Sequence, residues 1–160
     1  GLYDDLFAHM EEIDLCWRLQ RLGYKIAYCP LSTVYHVGGG SLAQGNPRKT
    51  YLNFRNNLIM MARNLPAKYR FGKILFRLIL DDLSIVYGLF RRSPADMKAI
   101  LKAHIHFYRW YCRNRKQLPE DTIPVTALDG VYRGSIIWEY FLKKRKTFSL
   151  LSRNEVVSNK

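Results

Sequence analysis

Two adjacent carboxylates, Glu11 and Glu12, open a helix-like run, and further along His36 stands directly before a glycine-rich loop. Each feature has an ordinary explanation and a chemical one. Acidic side chains at a helix start are stabilised by the helix dipole, so charge complementarity alone accounts for Glu11 and Glu12. A single histidine at the end of a β-favouring run is commonly structural. The run Gly38-Gly39-Gly40-Ser41 after His36 argues the other way. A flexible loop beside a ligand-capable side chain is typical of sites that close over a substrate.

The elements that must position these groups follow from spacing. Residues 9–22 read as a helix: Leu15, Leu19 and Leu22 recur at i, i+4 and i+7, Asp14 and Arg18 are set to pair, and Gly23 supplies the stop. Residues 25–29 and 33–37 are two short β-favouring runs, the first ended by Pro30. Residues 38–45 form a loop, since consecutive glycines carry a large ordering cost. A helix over 48–64 is stopped by Leu65-Pro66. The next, over 67–90, is apolar around most of its circumference, with Lys73, Arg77, Asp81 and Asp82 as exceptions. Those same charges exclude a transmembrane span there. A further helix runs from Ser93 or Pro94 to about residue 117, with Ser93 as N-cap, Pro94 at the first helical position and Asp96 in line with the dipole. After Pro119 the chain turns irregular, and a last short helix over 135–146 ends in Lys143-Lys144-Arg145-Lys146. The expected fold is mostly α with a small β edge.

Taken together, the stretch Phe7-Ala8-His9-Met10-Glu11-Glu12-Ile13-Asp14-Leu15-Cys16-Trp17-Arg18-Leu19, then Gly23-Tyr24-Lys25-Ile26 and Val34-Tyr35-His36, resembles the C-terminal end of the catalytic domain of family 2 glycosyltransferases. Gly1 with Asp4-Asp5 sits where that family has a glycine and acidic lead-in, and Asn53-Phe54-Arg55-Asn56-Asn57 resembles its Arg-Asn segment. The family's members are inverting enzymes with the GT-A α/β fold. The resemblance implies that residues 1–64 are the acceptor-side end of such a domain and that residues 65–160 are a basic helical tail.

It also implies roles. Glu12 stands where the family uses a carboxylate as catalytic base, taking the proton of an acceptor hydroxyl as that oxygen attacks the anomeric carbon. The usual Asp is replaced by the longer Glu, so either Glu12 or Glu11 reaches the hydroxyl. His36 matches a position from which some members ligate a divalent metal, Mn²⁺ or Mg²⁺, that neutralises the departing nucleoside diphosphate. Residues 38–45 would close over that diphosphate, with Arg48, Lys49 and Arg55 near enough to contact phosphate or acceptor. The family's donor half carries an Asp-x-Asp metal motif; none occurs in these 160 residues, nor does a GxGxxG or P-loop pattern. Together with the start at Gly1 rather than Met, this gives the expectation of a fragment that lacks its donor site and is inactive alone.

Composition separates the two parts. Of the formal net charge of +13, residues 1–46 contribute three basic and five acidic groups (−2), and residues 47–160 contribute 23 and eight (+15). A hydrophobic content of 48% excludes a disordered polar tail. Cys16, Cys29 and Cys112 lack the spacing of a disulfide framework or a zinc cluster and read as thiols of a reducing compartment. His104 and His106 are two apart on a helix and make a poor metal pair. No signal peptide is visible, so the expected location is cytoplasmic and peripheral at the inner face of the cytoplasmic membrane. In the tail, aromatics interleaved with Lys and Arg fit a helical core with basic rims, docking on anionic lipid headgroups, or nucleic-acid binding. The functional expectation is sugar transfer from a nucleotide-sugar donor to a saccharide or lipid-linked acceptor. The rival is a non-catalytic basic helical module that binds an anionic membrane surface or nucleic acid.

Overall fold

The structure is a computed structural model that describes residues 6, 8–35, 45–90, 93–120, 123–132 and 134–150. Four helices dominate: α1 (Glu11–Arg21), α2 (Pro47–Asn64), α3 (Ala67–Phe90) and α4 (Pro94–Asn114). Their boundaries have local causes. Gly23, at φ 85°, ends α1: its N–H reaches Gln20 O at 2.9 Å, and Tyr24 N–H reaches Leu19 O at 3.0 Å, the paired bonds of a Schellman stop. α2 starts with Asn46, whose side chain accepts from Arg48 N–H at 2.9 Å, followed by Pro47. It ends at the extended Leu65 before Pro66. Ser93 occupies the N-cap position of α4, but its hydroxyl donates to Asp96 Oδ2 at 2.5 Å rather than accepting from the backbone. α4 ends three residues before the expected limit and continues as a 3₁₀ turn, Arg115–Gln117.

α2 is the central element. It packs most extensively on α4 and also touches α3 and α1. Leu58, Ile59 and Ala62 of α2 meet Leu6, Ile74, Phe107 and Leu118 in one buried cluster, which Met61, Leu78, Trp110 and Tyr111 flank. Arg70, buried at the start of α3, donates to Leu65 O and to Pro119 O, which ties the α2–α3 turn to the segment after α4. Its burial pulls the guanidinium below its ordinary value, an effect that nearby Tyr111 and Glu120 partly offset.

The helical packing corrects the expected α/β architecture. Among the described residues there is no strand, only an isolated bridge residue at Tyr132, and they form a small all-helical domain rather than part of a GT-A sheet domain. Residues 25–29 and 33–35 have β-favouring side chains but no regular structure, and Tyr28, Leu31, Val34 and Tyr35 are each more than four-fifths exposed. Composition alone does not make a strand; a neighbouring backbone must take up its N–H and C=O groups. Here none does. The helix expected over 135–146 is also shorter, covering residues 136–142 with a π-type segment at Trp138–Leu142.

Candidate functional site

The chain enters α1 through an uncommon conformation. Ala8, His9 and Met10 have φ of 57°, 71° and 70°, three consecutive non-glycine residues in the left-handed region. Such residues cost about 1–3 kcal/mol each and persist only where the surroundings hold them. The holder is Asn56 of α2, fully buried, whose Nδ2 donates to Ala8 O at 2.9 Å and to His9 O at 3.0 Å. Arg55 Nε in turn donates to Asn56 Oδ1 at 2.9 Å, so the carboxamide is fixed from both ends. The turn delivers Glu11 and Glu12 as the first residues of α1.

The two carboxylates differ. Glu12 is exposed, whereas Glu11 is half-buried. Glu11 Oε2 and His9 Nε2 are both shielded from solvent without a hydrogen-bond partner. Unsatisfied buried polar atoms are uncommon and call for an explanation. One turn on, Asp14 is buried at 0% exposure and forms the expected pair with Arg18 (Nε–Oδ2 2.8 Å). Its other oxygen accepts from Asn64 Nδ2 at 2.7 Å, and Asn64 Oδ1 accepts from Arg21 Nη1 at 3.3 Å. Thus α1 is tied to α2 before its first turn by Asn56, and at Asp14 and Arg21 by Asn64.

The remaining sequence-derived site residues fall in different places. Arg48, exposed, and Lys49, half-buried, lie in the first turn of α2, about two helical turns before Arg55. Of the three cations only Arg55 is connected to the turn at residues 8–10. Arg55 also donates to Tyr51 Oη at 3.2 Å and lies over the Tyr51 ring. His36, residues 37–44 and the lead-in residues 1–5 and Phe7 lie outside the described residues. Among the described residues no group of three or more His, Cys, Asp or Glu side chains could hold a metal ion.

Asn56 and Asn64, which hold the turn and α1, carry no role in the sequence pattern itself. The available signal is that both fall among apolar residues of α2, and a polar residue on a buried stripe needs a partner there. A further polar group links α2 to α4: Tyr51 Oη and His106 Nδ1 are 2.7 Å apart. Desolvation holds the His106 imidazole below its ordinary value, and Lys102, Arg109 and Arg55 add to the effect. Beside it, Arg55, Arg109 and Arg113 line a cleft of about 350 Å³ with Trp110. A second, of about 430 Å³, lies between Arg18, Arg21, Arg63 and Trp110. Both are rich in positive charge.

Comparison of the chain with family models, with curated proteins and with solved structures found no match.

Proposed function

We propose that this chain supplies the acceptor-side carboxylates of an inverting glycosyl transfer, as part of a longer polypeptide that provides the nucleotide-sugar site. The reading takes no support from the GT-A fold. It rests on the residue pattern around Glu11 and Glu12, and above all on the left-handed turn at Ala8, His9 and Met10 held by Asn56. Strain of this kind clusters where a backbone must place reacting groups.

The exposed Glu12 takes the acceptor's hydroxyl proton while the oxygen forms its bond to the anomeric carbon. The bond from that carbon to the nucleoside diphosphate breaks in the same displacement, and the configuration inverts. The half-buried Glu11, with its unpartnered oxygen, orients the acceptor hydroxyl or the base. Arg55 stiffens the turn through Asn56. A divalent metal would neutralise the departing diphosphate; its candidate ligand, His36, lies outside the described residues. The acceptor is a saccharide or a lipid-linked acceptor, and the protein works at the inner face of the cytoplasmic membrane.

The deciding experiment uses the chain joined to its donor-binding region. Glu12→Gln should lower transfer by about 10²–10⁴-fold with donor binding nearly unchanged. Wild-type turnover in that variant, with Glu11→Gln equally active, would refute the reading. The rival, a non-catalytic basic module, would be left standing by that result.

A further inference from the structure

On α3 Ile74 and Leu78 meet the core, yet charge is buried beside them and large apolar side chains cover the outer face. Arg70, Arg77 and Asp81 face inward, and Asp81, only 1% exposed, is met by Arg77 Nε at 2.7 Å and by His104 Nε2 at 3.2 Å. Outward, Tyr69, Phe76, Ile79, Leu83, Val86 and Tyr87 recur at helical spacing, each between 48% and 59% exposed. From Tyr69 to Tyr87 that stripe is about 27 Å long. A contiguous apolar surface of this extent on a small protein marks a place where something binds. Lys68 and Lys73 flank its start, and Asp82 and Ser84 lie at its edges.

Among the described residues no helix is long and apolar enough to cross a membrane. The inward charges of α3 are committed to its neighbours, so only the outer face is available to an apolar phase. A second exposed apolar group lies at Ile136, Ile137, Trp138, Tyr140, Phe141 and Leu142, followed at once by the basic run 143–146. Within that run Lys143 and Arg145 hold the buried Glu139 at 2.8 and 3.0 Å, while Lys144 and Lys146 are exposed. Trp and Tyr beside lysines is the combination that suits the boundary between acyl chains and headgroups.

We propose that the outer face of α3, together with the segment 136–146, is a docking surface for an anionic lipid bilayer, with α3 lying in the plane of the interface. Charge complementarity selects this occupant: residues 47–160 carry 23 basic against eight acidic groups, and bulky aliphatic side chains on α3 fit hydrocarbon rather than phosphodiester. The proposal stands independently of glycosyl transfer.

The test uses the 160-residue chain. It should sediment with vesicles of phosphatidylcholine mixed with phosphatidylglycerol, far less with phosphatidylcholine alone, and added salt should weaken the binding. Trp138 emission should shift to the blue on binding, and Trp138→Phe should remove most of that shift. Phe76→Ser with Leu83→Ser should weaken binding by on the order of tenfold or more. Lys144→Gln with Lys146→Gln should do so by about tenfold at low salt. All four positions are exposed, so circular dichroism and melting should be preserved. No binding, equal binding to both vesicles, or full binding by the serine variant would overturn the proposal. A soluble dimer dissociated by Leu83→Ser, without vesicle binding, would assign the face to a second copy instead. Binding of RNA that survives the serine changes, without vesicle binding, would assign the tail to nucleic acid.

Discussion

Asn64 Nδ2 donates to Asp14 Oδ1 at 2.7 Å, and neither residue has exposed surface. The bond joins the first two helices across a separation of 50 residues, and it is what lets a carboxylate sit in the interior beside Arg18. Asn64→Leu strips one hydrogen bond from a buried charge. It should lower unfolding free energy by about 1–3 kcal/mol, read from urea denaturation. Asp14→Asn with Asn64 retained should cost less than Asp14→Ala, because the amide keeps an acceptor oxygen.

Asn56 makes a complementary prediction about strain. Asn56→Ala releases Ala8 and His9 and should destabilise by about 1–3 kcal/mol. His9→Gly, in contrast, relieves a left-handed residue and should stabilise by up to about 1 kcal/mol. If both changes destabilise equally, the turn is not under tension.

The carboxyl of Asp96 is held below its ordinary value by hydrogen bonds from the Ser93 and Thr50 hydroxyls. A depressed carboxyl contributes stability that is present above its unfolded value and lost as pH falls through its folded value. Thr50→Val should therefore shrink the loss of stability below about pH 4, measured as the pH dependence of the urea midpoint.

His106 carries the opposite charge type with the same sign of dependence. Its folded-state value is depressed, by desolvation first and then by Lys102, Arg109 and Arg55. The unfolded chain thus binds this proton more readily, and stability falls as pH drops below about 6.5 toward the folded value. His106→Gln should flatten that slope. An NMR titration should find the imidazole titrating below a free histidine.

Helix spans and several stops were legible because their causes are local. Leu15, Leu19 and Leu22 with Gly23 define α1, and Leu65-Pro66 and Ser93-Pro94 place the ends of its successors. The start of α1 was not legible. Of Ala8, His9 and Met10 only histidine has any leaning to the left-handed region, and none is glycine or asparagine; side-chain bonds from Asn56, distant in sequence, hold them there. The direction of α3 was equally hidden. Its apolar residues nearly encircle it, and only packing shows that Ile74, Leu78, Arg77 and Asp81 turn inward while Phe76, Ile79 and Leu83 stay exposed. Of the candidate site, Glu11, Glu12 and Arg55 could be picked out from the residue pattern, whereas the two asparagines that seat them became visible only through packing.

The stretch from Tyr24 to Tyr35 has a practical consequence. Apart from a turn closed by Ser32 N–H on Cys29 O it has no regular structure, it is rich in tyrosine and branched aliphatics, and among the described residues its main chain joins no ladder. Backbone in that state is a template: at high concentration neighbouring copies can zip onto it edge to edge. Samples kept dilute, or supplied with a short peptide that completes the ladder, should stay clear for longer than concentrated ones.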